Sequence, residues 1–320
     1  MLEAGVLVGR TIAAVPVTFG SDGRIDEAAQ ENYVAYLDRE PVDGVTVWAH
    51  TGRGLRLDRE QRSVVLRTWR AGFGGERPIL AAAGIAPGIT EWREALDSAR
   101  GMAELAAELG AEAVLVHPPL LVRSVPDSEA RIVAYHDEIA RAGLPLVLFF
   151  LYEAAGGITY SSSVLRELLA RPQVLGIKMA TLDSVMTFQD VSELIRSEFP
   201  DRVLLSGEDR FLGYSLMCGA EATLIGMASA RVAIQSELLR AHRSGNAGRF
   251  LGLSRRVDQL AVHTFKAPME GYIQRMLWCL VHDGVIPRAA AYDPWGPPLD
   301  ETEFHALGRF LRQLHEETAA

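Results

Sequence analysis

Residues 174–181 read Val-Leu-Gly-Ile-Lys-Met-Ala-Thr, a short apolar segment typical of a β-strand that ends in Lys178. Burying an ammonium group is costly unless the group is paired or loses its proton. A deprotonated lysine attacks carbonyl carbon, so one interpretation is a Schiff-base lysine at the mouth of a barrel. The other is a lysine that reaches solvent or pairs with a nearby carboxylate. This segment alone leaves both interpretations open.

Seven other aliphatic runs resemble this segment, and amphipathic stretches with helical spacing separate them. The runs begin roughly 30 residues apart, which is the length of a βα unit. Apolar strands that alternate with helices indicate a parallel sheet covered on its faces. Eight such units predict an α/β fold and favour a (β/α)8 TIM barrel rather than an open doubly wound sheet. The predicted strands are 12–17, 44–48, 78–83, 113–117, 146–151, 174–178, 203–206 and 222–226.

The strand pattern stops near residue 232, and the rest of the chain is helical in pattern. We therefore expect two domains, a (β/α)8 barrel at 1–232 that carries the active site and a C-terminal helical domain at 233–320. Asp300 and Glu303 have the spacing of an N-cap and its capping-box partner. The predicted helices are 235–243, 248–265, 269–281 and 300–317.

Composition and charge limit the kinds of protein that this chain can be and the partners that it can bind. The 320 residues are 48% hydrophobic and 23% charged, which is ordinary for a globular enzyme. A net charge of −9 argues against nucleic acid or an anionic membrane as partner. Cys218 and Cys279 form no metal motif and are expected to be reduced. We find neither a signal peptide nor an apolar run long enough to span a bilayer, so we expect a cytoplasmic protein.

Candidate site residues follow the strands, because the active site of such a barrel lies at the carboxyl ends of its strands. The loop after the second strand holds His50, Thr51 and Gly52, where a histidine can transfer protons and a hydroxyl with backbone N–H groups suits a carboxylate. Each residue also fits a purely structural role. The other candidates at strand ends are His117, Phe149, Tyr152, Gly207, Glu208, Asp209 and Gly226.

The chain resembles the superfamily of dihydrodipicolinate synthase and N-acetylneuraminate lyase. The resemblance rests on Pro16-Val-Thr-Phe19, Thr51-Gly52, Gly176-Ile-Lys178 and Ser206-Gly-Glu-Asp209, in that order and spacing. It implies a (β/α)8 barrel with a C-terminal helical domain. It also implies a homotetramer or homodimer that handles 2-oxo acids without a metal or other cofactor, through a covalent Schiff base on Lys178.

The chain departs from that family in the loop after the second strand, where Ala49-His50-Thr51-Gly52-Arg53 stands in place of the usual Gly-Thr-Thr-Gly-Glu or Gly-Ser-Thr-Gly-Glu, and at three further positions. The family's fifth strand ends in a proton-relaying tyrosine, and Phe149 stands there without a hydroxyl. A second tyrosine of the synthases falls near Leu120, and Ala154 lies near the arginine that holds their distal carboxylate. We therefore do not expect a true dihydrodipicolinate synthase.

The interpretation we favour is a Schiff-base lyase, either an aldolase or a hydro-lyase, acting on pyruvate or a hydroxylated 2-keto acid. Lys178 would attack the ketone, Thr51 would hold the C1 carboxylate, and His50 would be the acid–base, with Tyr152 as an alternative hydroxyl. Glu208 and Asp209 are expected to face a polar distal part of the substrate. Two alternatives stay open, a catalytically altered or inactive barrel that senses a 2-oxo acid, and a decarboxylase or condensing enzyme of specialised metabolism.

Overall fold

The computed structural model describes residues 1–123 and 125–319, with side chains to residue 314. Eight parallel strands pair in chain order, and the eighth pairs with the first, so the sheet closes. All eight strands are buried along their full length, as expected of a barrel wall between interior side chains and outer helices. This confirms the predicted TIM barrel. The strands are β1 Thr11–Ala14, β2 Gly44–Val47, β3 Ile79–Ala83, β4 Ala113–Val116, β5 Leu146–Leu151, β6 Val174–Ala180, β7 Val203–Ser206 and β8 Ala222–Ile225.

Amphipathic helices cover the strands. The second helix shows why they form: the Asp26 carboxylate caps its first turn by accepting from the N–H of Ala29, and Tyr33 and Leu37 are buried one turn apart. The helices are α1 Ala4–Leu7, α2 Glu27–Arg39, α3 Arg59–Gly72, α4 Trp92–Glu108, α5 Ser128–Ala140, α6 Ser162–Leu169, α7 Val185–Glu198, α8 Leu212–Met217, α9 Ala233–Arg243, α10 Ala247–Thr264, α11 Tyr272–His282 and α12 Glu301–Ala319.

Six of the eight strands agree with the sequence-based prediction to within one residue at each end, and β1 and β6 differ by more. Strand β1 ends at Ala14 rather than at residue 17, since Pro16 has no backbone N–H to donate to a neighbouring strand. Strand β6 runs on to Ala180, so Lys178 lies within the strand and not at its end. Lys178 is in register with Phe149 on β5 and Leu205 on β7.

The C-terminal segment follows its predicted helices with two corrections. The helix predicted from residue 269 begins at Tyr272, after a short 3₁₀ turn at Met269–Gly271. Asp300 caps α12 as predicted, since its carboxylate accepts from the N–H of Thr302. The capping-box role of Glu303 is wrong, because its carboxylate pairs with Arg275, 3.0 Å away.

The division of the chain at residue 232 into a barrel domain and a C-terminal helical domain stays a proposal. Helix α9 follows β8 and is tied to the loop before β2, where the Ser236 hydroxyl donates to the carbonyl of Pro41 at 2.6 Å. That position is the one an eighth barrel helix would take. Both cysteines are free, as predicted. Within the described residues, no helix combines the length and apolarity needed to cross a membrane.

Candidate active site

Lys178 lies inside the barrel mouth, and its side chain is 5% exposed. Its Nζ is 4.3 Å from the centre of the Phe149 ring, the neighbour that the strand register places beside it. Burial lowers the pKa of the lysine to about 8, although the negative charges of Asp209 and Glu208 act in the opposite direction. On the order of a tenth of the amine is then unprotonated at neutral pH, far more than for an exposed lysine. Lys178 is therefore equipped to act as a nucleophile.

Two carboxylates flank this amine. Glu208 accepts hydrogen bonds from the backbone N–H groups of Thr181 and Leu182, at 2.6 and 3.0 Å, and from the Thr181 hydroxyl at 2.9 Å. Asp209 accepts from the N–H of Met227 at 2.7 Å. Burial raises the pKa of both groups, that of Glu208 to about 7. Both line the same small pocket as Lys178, and its hydrogen bonds hold Glu208 to the loop after β6. That they face a distal part of the substrate stays a prediction.

Gly207 and Gly226 keep this region open. A Cβ atom on Gly207 would come within 2.7 Å of Cε of Lys178 and of the carbonyl oxygen of Met179. On Gly226 it would lie 3.2 Å from the Thr51 hydroxyl oxygen. Larger residues at either position would crowd the lysine or the threonine.

The loop after β2 brings His50 and Thr51 to the same mouth. Trp48 and Arg53 bracket it with left-handed backbone angles, φ of 60° and 52°, which are unusual for residues with side chains. The Thr51 hydroxyl shares a 2.9 Å hydrogen bond with the phenol of Tyr272. Gly52 lines neither of the cavities described below, since its Cα faces the carbonyl of Val15, 2.8 Å from where a Cβ would lie. Its role is close packing of the loop.

The C-terminal segment completes the site. Nε2 of His50 lies 2.9 Å from a carboxylate oxygen of Glu270, and because a carboxylate only accepts, Nε2 carries the proton and Nδ1 has the free lone pair in the neutral ring. The Tyr152 hydroxyl donates to the same carboxylate at 3.3 Å. Arg53 donates to Glu270 at 2.7 Å and to Asp293 at 2.8 Å. Burial opposes ionisation of Glu270, but His50 and Arg53 lower its pKa to about 2.

Glu270, Tyr272 and Asp293 were missed from the sequence. Glu270 and Tyr272 lie 220 and 221 residues from the barrel residues they contact, and no local pattern reports such contacts. One signal was available: Pro268 and Gly271 interrupt the helical pattern and so indicate a loop around Glu270. Polar residues of a loop are better functional candidates than those of a helix interior.

Two neighbouring cavities share His50 and Leu151 in their walls. The inner pocket, about 40 Å³, contains Lys178 together with most of the predicted site residues, and the outer chamber, about 750 Å³, opens beyond it. The predicted residues that line the inner pocket are His50, Thr51, Phe149, Tyr152, Gly207, Glu208, Asp209 and Gly226.

His117 lies apart from the others, in the wall of the outer chamber. Its Nε2 donates to the carbonyl of Trp48 at 3.2 Å, and burial lowers its pKa to about 3, so the ring is neutral. Across the described residues, no group of three or more histidine, cysteine, aspartate or glutamate side chains is arranged to hold a metal ion.

Comparison with known proteins agrees with this geometry. The model of the dihydrodipicolinate synthetase family matches residues 7–314. The chain belongs to this family. Family members and the named relatives are lyases, and this chain is accordingly an enzyme of the lyase class.

Relatives with assigned names are distant. A probable mitochondrial 4-hydroxy-2-oxoglutarate aldolase of Emericella nidulans is 24% identical over 247 residues, 76% of this chain and 77% of that protein. A probable 2-dehydro-3-deoxy-D-pentonate aldolase of Escherichia coli is 23% identical over 271 residues, 84% and 86% of the two chains. Among solved structures, a prophage protein of the dihydrodipicolinic acid synthase family from Escherichia coli, in complex with pyruvate, superposes with a TM-score of 0.81 at 22% identity and covers 96% of this chain and 98% of its own.

Proposed function

We propose that this member of the dihydrodipicolinate synthetase family is a lyase that forms a Schiff base between Lys178 and a 2-oxo acid, without a metal or other cofactor. The observation that carries the proposal is the buried Lys178, whose amine lies over an aromatic ring in a small pocket and whose pKa is lowered. A site that only bound its ligand would gain nothing from so costly a group. This argues against the sensor alternative.

The chemistry follows from the amine. Nζ of Lys178 adds to the ketone carbon, and the carbinolamine loses water to give a protonated imine. The imine withdraws electrons from C3, so that either the C3–C4 bond breaks, or C3 loses a proton to a base and the C4 hydroxyl takes up a proton and leaves as water. In the cleavage, the C4 hydroxyl proton goes to a base, the C3–C4 electron pair forms an enamine, and C3 is then protonated. Hydrolysis releases pyruvate and restores the lysine.

The Thr51 hydroxyl is the group we assign to the C1 carboxylate, since the N–H groups of Gly52, Arg53 and Gly54 already donate to carbonyls of their own loop. Thr51 faces the inner pocket with Lys178, and Tyr272 holds its hydroxyl. Tyr272 also brings a buried phenol into a pocket where Phe149 cannot relay protons.

His50 is the base we assign to the C4 hydroxyl. It lies in the wall shared by the two cavities, which is where C4 would be if the pyruvate half occupied the inner pocket. Glu270 orients the ring through the hydrogen bond to Nε2, as an acidic partner does for a catalytic histidine. Tyr152, bonded to the same carboxylate, is the alternative hydroxyl.

The chain offers a sharp test because it contains two lysines, Lys178 and Lys266. Lys266 is 43% exposed and pairs with Glu303, so it serves as a matched control. We expect pyruvate with borohydride to add a reduced pyruvyl group to the peptide containing Lys178 and not to that containing Lys266. Lys178→Met should abolish both labelling and turnover, whereas Lys266→Met should keep both. Labelling at the N-terminus or at Lys266, or at no site across a panel of 2-oxo acids, would refute the Schiff-base mechanism.

We also propose that the enzyme works in the cytoplasm as a homodimer or homotetramer on a small 2-oxo acid.

A further inference from the structure

The outer chamber is apolar. Of the 21 residues in its wall, 13 have apolar side chains, three are glycines and five are polar. Its volume of about 750 Å³ falls in the range of pockets that enclose a whole small ligand, roughly 300–1,000 Å³. Because the inner pocket holds Lys178, the chamber is where the part of the substrate beyond C4 would lie.

The polar side chains of the chamber are largely occupied. Arg53 and Glu270 pair with each other, Glu270 also accepts a hydrogen bond from Nε2 of His50, and His117 is neutral and bonded to a backbone carbonyl. Arg56 is the remaining polar residue, and it is exposed at the rim. A chain of hydroxyl groups entering the chamber would lose its hydrogen bonds to water and regain few, which costs binding energy for each unpaired group.

The walls suit a ring. Trp295 contributes one face, and its indole is itself fixed edge-on against Phe19, with 5.4 Å between ring centres. Ile85 and Leu151 contribute aliphatic surface. Leu120, which stands near the position of a tyrosine in the synthases, also lines the chamber and is 47% exposed. A large exposed apolar side chain in the wall of a pocket is expected where a ligand covers it.

From these features we infer that the substrate carries a bulky apolar group, such as an aryl ring, on C4, and that the products of cleavage are pyruvate and an apolar aldehyde. The inference rests on the proposed function. The reaction is a balanced retro-aldol: the C4 hydroxyl loses its proton and becomes the aldehyde, C3–C4 breaks, and C3 gains a proton. The chamber holds the aldehyde half, and His50 stands at the bond that breaks.

The test runs the reaction in the direction of addition. Pyruvate is offered with benzaldehyde, glyceraldehyde or glyoxylate, and the adducts are quantified by liquid chromatography and mass spectrometry. We expect kcat/KM for benzaldehyde to exceed that for glyceraldehyde by about tenfold or more, the discrimination that apolar pockets provide. A preference for glyceraldehyde would overturn the inference. A preference for glyoxylate would also overturn it, since it would show that the chamber binds a carboxylate better than an aryl ring.

Two exposed leucines give a matched pair of variants. Leu120 lines the chamber, while Leu251 on α10 is 62% exposed and lies outside it. Leu120→Asn should lower the preference for benzaldehyde by roughly threefold or more, as expected for loss of apolar contact area, and Leu251→Asn should leave it unchanged. Equal preferences in the two variants would refute the assignment of the chamber.

Borohydride trapping of pyruvate, measured alongside, separates the two proposals. If Lys178 is labelled but benzaldehyde is not preferred, the apolar-substrate inference fails and the proposed function stands. If Lys178 is not labelled, both fail.

Discussion

Replacing Lys178 by methionine should make the protein more stable at neutral pH. The folded state lowers the pKa of this lysine from 10.5 to about 8, chiefly by burial. Each unit of difference between the folded and unfolded pKa is worth about 1.4 kcal/mol, so the charged lysine costs roughly 3 kcal/mol of unfolding free energy. Methionine removes that cost but also removes the contact of the ammonium with Phe149, worth about 0.5–2 kcal/mol. We expect a net gain of about 1–3 kcal/mol.

The sign of the pH dependence follows from the direction of the shift. A lysine whose pKa is lower in the folded state does not reduce the unfolding free energy above the unfolded pKa of 10.5. It reduces the unfolding free energy by the full amount below about pH 8. The advantage of Lys178→Met should therefore be constant below about pH 8 and shrink above it. Urea unfolding, followed by circular dichroism at several pH values, would measure the difference in unfolding free energy between Lys178→Met and the unsubstituted protein. Lys266→Met, at a half-exposed position, should change stability by less than about 0.5 kcal/mol. A Lys178→Met protein no more stable than the Lys266→Met protein at pH 7 would refute the view that burial destabilises the charged form of Lys178.

Four further outcomes are expected of the catalytic groups. His50→Gln should lower kcat by about 10²–10⁴-fold, the usual contribution of general acid–base catalysis, and an unchanged kcat with a raised KM would make it a carboxylate-binding residue instead. Tyr272→Phe should lower kcat by about tenfold or more while pyruvate trapping persists, whereas the exposed Tyr292→Phe should have no effect; equal kcat in the two would remove Tyr272 from proton transfer. Asp209→Asn removes a charge that raises the pKa of Lys178, so the rise of the trapping rate with pH should move to lower pH, and an unmoved profile would contradict that coupling. With Phe149 and Ala154 in place of the hydroxyl and the arginine, condensation of pyruvate with aspartate semialdehyde should stay well below about 1 s⁻¹.

The barrel could be predicted from the sequence because its information is local and repeated. Each strand is a short aliphatic run, and each is followed by a helix within roughly 30 residues, so eight weak signals support one another. The same regularity placed Lys178 correctly in the sixth strand, since the glycine before it and the apolar residues around it belong to the strand pattern. Strand ends were less predictable, as β1 and β6 show, because they depend on which backbone groups find partners in the neighbouring strands.

The inner pocket was largely predictable for the same reason. If a fold puts its site at the carboxyl ends of parallel strands, the residues at those ends meet whatever their separation in sequence. The orientation of each side chain was not predictable. Glu208 lines the inner pocket as expected of a residue at a strand end, but the sequence did not show that the backbone N–H groups of Thr181 and Leu182 hold its carboxylate. That arrangement depends on the path of the loop after β6, where Leu182 has a left-handed φ of 65° that no sequence pattern specified.

The contribution of the C-terminal segment marks the limit of reasoning from the sequence. His50 looked like an isolated titratable residue, yet in the structure it belongs to a network in which Glu270 joins it to Arg53, and Arg53 joins Glu270 to Asp293. Arg53 appeared in the sequence only as a departure from the family's usual loop. Its guanidinium is the group that docks the C-terminal segment onto the barrel mouth, and the same segment delivers Tyr272 to the pocket of Lys178. The helical segment after the barrel therefore contributes residues to the candidate site, and the arginine at position 53 is matched by the carboxylates that this segment supplies.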